Sequence, residues 1–176
     1  MGDTLFEFDI APKVSSPKLF DLSTVSAHSA CNLNFRWHSR VPLIDPSNVT
    51  RNTHYVCYVA RYEGIAYAVA IWSSPIAGNR LKDGKKLLEL RRLAINEDAP
   101  KNTATWMLSK MTKDIKKRFP NVIRLISYQD TEVHHGTIYK AANWTSVCRS
   151  ELNDWNNRDR SAAQTTSPKI RWEYQL

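Results

Sequence analysis

The densest cluster of side chains that could do chemistry lies between Asp130 and Tyr139 of this 176-residue chain. His134, His135 and Gly136, one of only five glycines, stand between them, after an apolar run. An apolar strand, a polar turn and a short helix would place these groups at the C-terminal edge of a strand, where open α/β sheets usually hold ligands. The tyrosine hydroxyl could face that edge and act as a general acid to a leaving thiolate. The alternative is a tyrosine that packs on the sheet with its hydroxyl at the rim.

Adjacent histidines point in different directions, so we expect only one of His134 and His135 to face a site. Asp130 and His135 are candidate catalytic residues beside Tyr139, and His38, far away in sequence, is a fourth. His38, Asp130 and His135 are also a candidate ligand set for iron or another divalent metal, because imidazole and carboxylate groups suit such ions.

A compact polar cluster surrounds His38, with Arg36 and Trp37 before it and Arg40 after it. One interpretation is a substrate-facing loop in which the histidine is an acid, a base or a ligand, and in which the arginines contact phosphate. The other is an exposed loop with a buried tryptophan. Both interpretations remain open from the residues alone.

A further candidate site is the junction between a charged strand and a basic helix that begins at Asn102 or Thr103. The unpaired N–H groups and the dipole of a helix N-terminus favour anions. Lys101, Thr105 and Arg92 add charge or donors, so a cofactor pyrophosphate would fit there. The alternative is a capped amphipathic helix on a sheet. The sequence contains no Walker motif and no Gly-x-Gly-x-x-Gly, which disfavours nucleotide hydrolysis and dinucleotide binding.

The charge balance indicates a polyanionic partner. The net charge is +8 at pH 7, and the window from Arg80 to Arg118 carries twelve Lys or Arg against five Asp or Glu. Nucleic acid is the simplest such partner, with Lys113 and Lys117 on the basic face of the helix as candidate phosphate contacts. The alternative is a basic protein without such a partner.

Other features of the composition are ordinary. Hydrophobic residues make up 42% of the chain and charged residues 24%. No stretch approaches the roughly 20 apolar residues that a membrane helix needs, and the first ten residues lack the basic start of a secretory signal. Three widely spaced cysteines fit reduced thiols. We therefore expect a cytoplasmic protein without a membrane partner. A homodimer is one of the oligomeric states left open.

The elements that would position these groups follow from the hydrophobic pattern. We expect one α/β domain over residues 1–176, a mixed sheet with helices. The predicted elements in chain order are an edge strand Leu5–Ile10, a helix Ser16–Asn34, a hairpin His54–Tyr62 and Ile65–Trp72, a strand Leu87–Ile95, a helix from Thr103 to about Phe119, a strand Val122–Ser127, a helix Gly136–Ala142, and closing strands Trp144–Cys148 and Ile170–Tyr174.

Residues 88–144 resemble the GCN5-related N-acetyltransferase (GNAT) superfamily. Ile138–Trp144 is similar to its usual Phe-Tyr-x-x-x-Gly-Phe ending. The resemblance implies a mixed, mostly antiparallel sheet flanked by helices, an acyl-CoA-like donor with its pyrophosphate at a helix N-terminus, and a tyrosine that protonates the departing thiolate. Residues 98–105 contain no glycine, whereas the superfamily carries a glycine-containing pyrophosphate loop there.

Within that superfamily the chain more specifically resembles the Mom family of phage DNA-modification proteins. The matching segments are Glu89–Leu93, Lys101–Thr105, Ile126–Asp130 and His135–Trp144. The resemblance implies conversion of adenine in double-stranded DNA to an N6-carbamoylmethyl base, which shields phage DNA from host restriction nucleases in the host cytoplasm. The target base would have to leave the duplex stack, and Trp37 could hold it.

Two other functions remain open. The first is an acetyl-CoA-dependent N-acetyltransferase that acts on a small molecule or a protein amine. The second is a DNA-binding module without catalytic activity.

Overall fold

One mixed sheet of seven strands organises the chain in the computed structural model, which describes residues 12–75, 86–150 and 168–176. The predicted strand Leu5–Ile10 lies outside the described residues. The strands are ordered β1-β2-β3-β4-β5-β7-β6, and within the described residues only the β4–β5 pair is parallel. This confirms the expected mixed, mostly antiparallel sheet. The strands are β1 Asp21–Val25, β2 Tyr55–Tyr62, β3 Ile65–Ser73, β4 Leu87–Ile95, β5 Arg124–Asp130, β6 Thr145–Ser150 and β7 Lys169–Gln175.

Helices cover both faces of this sheet. They are α1 Ala27–Trp37, α2 Ser47–Thr50, α3 Thr103–Arg118 and α4 Thr137–Ala141. Apolar residues of α1 and α2 pack with alternate residues of β2 and β3, including Cys57, Val69 and Ile71. The intervening residues of the same strands, such as Tyr58 and Trp72, pack with α3 and α4. The period-2 alternation of a strand therefore separates the core into two layers.

The predicted helix Ser16–Asn34 is wrong in its first half. Pro17–Leu19 forms a short 3₁₀ turn, and β1 follows, paired antiparallel with β2 from Arg61 to Cys57. Only then does α1 begin, with the Ser26 side chain accepting a hydrogen bond from the Ser29 N–H. A serine cap satisfies an N–H group that the first turn of a helix leaves free. The N-terminal boundary is therefore set by this cap and by strand pairing.

The predicted hairpin between β2 and β3 is confirmed. Glu63 and Gly64 form its turn with φ values of 49° and 81°. Positive φ at both central residues is what a two-residue turn of type I′ requires, and this turn matches the twist of the flanking strands. The hairpin therefore sets the register of the two central strands.

Helix α3 agrees with its prediction. Met107, Leu108, Met111 and Ile115 are fully buried at helical spacing, and basic residues fill the last turn. β5, however, begins and ends later than predicted and includes Asp130 as its last residue. Among the described residues, no helix is both long and apolar enough to cross a membrane.

The parallel strands β4 and β5 separate toward their C-terminal ends. Residues Leu87–Leu90 pair with Arg124–Ser127, and the pairing stops there although both strands continue. Beyond that point, in the part of the chain that the structure describes, β4 pairs only with β3 and β5 pairs only with β7. The sheet therefore opens into a V-shaped cleft between the two strand ends.

Candidate active site

The cleft between β4 and β5 is a cavity of about 680 Å³. All four candidate catalytic residues line it: His38, Asp130, His135 and Tyr139. His134 lines it as well. Both histidines of the adjacent pair therefore face the cavity, whereas we expected only one of them to do so. Most of the lining comes from residues 37–41, 89–95, 127–130 and 133–139.

Tyr139 lies at the floor of the cleft. It is only 7% exposed, and its ring stacks on Trp172 with centroids 5.3 Å apart. Its hydroxyl is hydrogen-bonded to the Ser127 hydroxyl at 2.8 Å. Burial raises the pKa of Tyr139, and the hydrogen bond with Ser127 opposes this only in part. The phenol is therefore protonated at neutral pH, as a proton donor must be.

Gln129 fixes the turn that carries the two histidines. Its side chain is buried, accepts a hydrogen bond from Trp172 Nε1 at 2.7 Å, and donates one to the His134 carbonyl. Gly136 has φ +72°, and a Cβ there would lie 2.5 Å from Gln129 Oε1. Gly136 therefore combines a positive φ with a close approach by the Gln129 side chain. Gln129 had no role in the sequence analysis, because an amide inside an apolar strand gives no signal of its partners.

His38 is held by backbone donors. Its Nδ1 accepts hydrogen bonds from the N–H groups of Arg40 and Val41, both at 3.3 Å. A neutral imidazole that accepts at Nδ1 carries its proton on Nε2. Burial, helped by the charges of Arg92 and His134, lowers the pKa of His38 to about 4. At neutral pH the histidine is therefore an Nε2–H donor.

The lowered pKa of His38 should make stability depend on pH. The unfolded histidine, with a pKa near 6.5, binds a proton before the folded one does, so stability falls as the pH drops from about 7 to 4. At about 1.4 kcal/mol per pKa unit, this loss reaches about 3 kcal/mol by pH 4. In chemical denaturation at pH 7 and pH 4.5, His38→Gln should lose less unfolding free energy than the wild type. Equal losses in the two proteins would refute the assignment.

An ion-pair bridge joins the His38 loop to the end of β5. Arg40 Nη2 lies 2.7 Å from Glu132 Oε2 and 3.5 Å from Asp130 Oδ2. The Glu132 N–H also donates to Asp130 Oδ1 at 3.1 Å. Arg40 is 39% exposed, so these pairs contribute little to stability. Their consequence is geometric, since they hold the two sides of the cleft together.

The predicted metal ligands do not fit a metal centre. Among the described residues, no three His, Cys, Asp or Glu side chains are grouped closely enough to share an ion. The Nδ1 lone pair of His38 is used by backbone N–H groups, and its other nitrogen carries the proton. Asp130 is engaged with Arg40. The set His38, Asp130 and His135 was therefore wrong as a metal site in this geometry, although all three line the cleft.

Of the predicted cofactor-binding residues, only Arg92 lines the cleft. Thr103 is buried, and its hydroxyl donates to the Pro100 carbonyl at 2.6 Å, so it offers no donor to a ligand. Lys101, Asn102 and Thr105 stand at the start of α3 outside the cavity lining. Asn102, the residue just before α3, has a left-handed backbone conformation, and its side chain does not cap the helix. Ala104, in the first turn of α3, lines the cleft.

The predicted DNA contacts divide into two groups. Trp37 and Arg40 line the cleft, and the tryptophan also packs against the core beneath α1. Arg36, Lys113 and Lys117 are exposed and do not line it. These three side chains can therefore act only on a surface outside the cavity.

Known structures share this fold. The ribosomal-protein-S18-alanine N-acetyltransferase from Escherichia coli superposes with a TM-score of 0.62 at 12% identity, covering 89% of this chain and 93% of that chain. A Bacillus subtilis acetyltransferase in complex with CoA gives 0.62 at 11% identity, covering 89% and 99%. The protein yncA from Salmonella typhimurium, in a structure with its cofactor acetyl-CoA, gives 0.62 at 9% identity, covering 90% and 94%. At these identities the likeness establishes the GNAT fold.

Sequence comparison points to one family. No curated protein sequence matches the chain significantly. The profile of the Mom protein family, in contrast, matches residues 67–173. This region runs from β3 into β7 and carries every side of the cleft except the His38 loop. The chain belongs to the Mom protein family.

Proposed function

We propose that this chain is a transferase that converts adenine in double-stranded DNA to an N6-carbamoylmethyl base and so protects phage DNA from restriction. The observation that carries the proposal is the family match over residues 67–173, which includes Arg92, Asp130 and Tyr139. All three line one cleft. The family therefore matches where the chain's candidate chemistry is concentrated.

The cleft suits a base that has left the duplex. Its volume of about 680 Å³ falls in the range of small-molecule sites. Trp37, in its lining, offers a flat surface on which an extruded base can stack. In the reaction, N6 forms a bond to carbon while the bond from that carbon to the leaving group breaks. Tyr139 gives its proton to the leaving group, and Asp130 is the candidate acceptor for the proton that N6 loses.

An acyl-CoA-like donor is compatible with one end of the cleft. Ala104, in the first turn of α3, lines the cavity, and Asn102 leaves this helix end without a side-chain cap. Free N–H groups at a helix N-terminus attract phosphate. When bound, such a donor would carry the transferred group on the coenzyme sulfur. To give a carbamoylmethyl base, N6 would have to bond to the methylene carbon of that group while the bond from this carbon to sulfur breaks, with the thiol as leaving group.

Binding of DNA outside the cavity should depend on exposed lysines of α3. Changing Lys113 and Lys117 to Gln removes two candidate phosphate-binding cations. We expect weaker binding of duplex DNA of any sequence, and a salt dependence whose slope is shallower by about one unit for each lysine replaced. Fluorescence anisotropy at several salt concentrations measures both. Lys18→Gln, on an exposed turn before β1, is the control, and equal behaviour of the control and the double variant would count against this surface.

Restriction digestion tests the proposed function. Plasmid DNA from cells that express the chain should resist nucleases whose sites contain adenine, and nucleases with sites of only G and C should still cut it. Full cleavage by both classes would contradict the proposal. DNA from cells with the empty vector is the control.

The alternative is an acetyl-CoA-dependent N-acetyltransferase, favoured by the structural neighbours solved with CoA or acetyl-CoA. If the chain has that function, acetyl-CoA should raise the melting temperature of the protein, and turnover should proceed without DNA. The proposed function requires DNA in the reaction. Activity assays with and without DNA therefore separate the two.

A further inference from the structure

Val41 brings two side chains of the cleft together. Its N–H donates to His38 Nδ1 at 3.3 Å, and its carbonyl accepts from Arg92 Nε at 3.2 Å. The buried Asn34 side chain donates to the same carbonyl at 3.4 Å and to the Pro42 carbonyl at 2.8 Å. The loop after α1 is therefore fixed both to its own helix and to β4. His38 and Arg92 are held against one backbone residue in the lining of the same cavity.

Both side chains keep hydrogen-bond donors available. His38 uses Nδ1 as an acceptor, which leaves Nε2–H as a donor. Arg92 uses Nε and one donor of Nη1, the latter toward the Arg91 carbonyl at 2.7 Å. Among the described residues, His38 Nε2 and Arg92 Nη2 have no hydrogen-bond partner. A ligand in the cleft is the natural acceptor for them.

The charges around this pair limit the kind of ligand. Burial lowers the pKa of Arg92 to about 10, so the guanidinium stays charged at neutral pH. Arg91 and Glu89 also lie in the cleft lining; the charge of Arg91 lowers the pKa of Arg92 and that of Glu89 raises it, but burial is the larger effect. Arg91 donates from Nη1 to the Asn48 carbonyl and the Ser73 hydroxyl, which leaves Arg92 as the cation beside His38. One cation beside one neutral donor suits an oxygen that carries a single negative charge or a carbonyl dipole. A phosphate dianion would be matched poorly.

We propose that His38 Nε2–H and the Arg92 guanidinium form a two-donor site for a carboxylate or carboxamide oxygen of the small molecule that supplies the transferred group. His38 acts there as a neutral hydrogen-bond donor, and neither as a base nor as a metal ligand. The identity of the ligand rests on the proposed function, because a carbamoylmethyl group ends in a carboxamide. The donor pair itself rests only on the geometry around Val41.

Nuclear magnetic resonance of the full chain, labelled with ¹⁵N, tests this site without DNA. Long-range imidazole spectra should show His38 protonated on Nε2 and neutral from pH 7 down to pH 5. His38→Gln identifies its signals. Acetate, the carboxylate probe, should shift the signals of His38 and of Arg92 Nε at millimolar concentration. Acetamide, the carboxamide probe, shows whether a neutral oxygen suffices.

Arg92→Gln should weaken acetate binding at least tenfold. Inorganic phosphate at equal ionic strength should bind no better than acetate. The inference is overturned if His38 carries its proton on Nδ1 or titrates near pH 6.5. It is also overturned if neither acetate nor acetamide moves these signals, if Arg92→Gln leaves acetate binding unchanged, or if phosphate binds more tightly. If acetate binds but DNA from expressing cells is unmodified, the proposed function is contradicted and the two-donor site is still supported.

Discussion

Tyr139→Phe is expected to lower the rate at which modified deoxyadenosine forms by about 100- to 10,000-fold, the usual contribution of a general acid. The phenol is buried and protonated, and its hydroxyl is the only group that the substitution removes. The ring stays stacked on Trp172, so packing is preserved. Loss of the hydrogen bond with the buried Ser127 hydroxyl should cost about 1–3 kcal/mol of stability, too little to unfold the protein.

Two further variants separate chemistry from packing. Tyr174→Phe is the matched control, because Tyr174 packs against Trp144 with centroids 5.8 Å apart and does not line the cleft. Its rate should equal that of the wild type. Ser127→Ala removes the partner of the Tyr139 hydroxyl and keeps the hydroxyl itself, so it should reduce the rate far less than Tyr139→Phe. Full activity of Tyr139→Phe would show that this tyrosine only packs.

Gly136→Ala is expected to destabilise the protein by roughly 2–5 kcal/mol. The backbone has φ +72°, which costs a residue with a Cβ about 1–2 kcal/mol. The added methyl would also lie 2.5 Å from Gln129 Oε1 and 2.6 Å from Trp172 Cζ2, and overpacking of this kind costs about 1–3 kcal/mol. Denaturant unfolding measures the change, and DNA modification should fall because the histidine turn must shift.

Gly64→Ala is the control for backbone strain alone. Gly64 has φ +81°, and a Cβ there would meet nothing within 4 Å. We therefore expect a loss of only about 1–2 kcal/mol. If the two alanine variants lost the same free energy of unfolding, the close approach of Gln129 and Trp172 to Gly136 would contribute nothing to the cost of the substitution.

The sequence predicted the elements whose pattern is strong. Strand β4 and helix α3 have long periodic runs of buried residues, and both lie where they were expected. The helix predicted over Ser16–Asn34 failed in its first half because Leu22 and Val25, three residues apart, fit one face of a helix as well as the two opposite faces of a strand, which they occupy in β1. Pairing with β2 and the cap at Ser26 decided between them, and a local pattern contains neither effect.

The sequence predicted which residues meet at the candidate site better than it predicted what each of them does there. His38, Asp130, His135 and Tyr139 meet in one cleft, although His38 is remote from the others in sequence. The roles assigned to them depended on contacts that residue types do not encode. Backbone N–H groups at Nδ1 convert His38 into a donor, and Thr103 turns its hydroxyl inward to Pro100.

Mass spectrometry of nucleosides tests the central claim most directly. DNA from cells that express equal amounts of the wild type, Tyr139→Phe and Tyr174→Phe would be digested to nucleosides and compared. We expect deoxyadenosine heavier by one carbamoylmethyl group with the wild type and Tyr174→Phe, and little or none with Tyr139→Phe. Unmodified deoxyadenosine in all three samples would contradict the account.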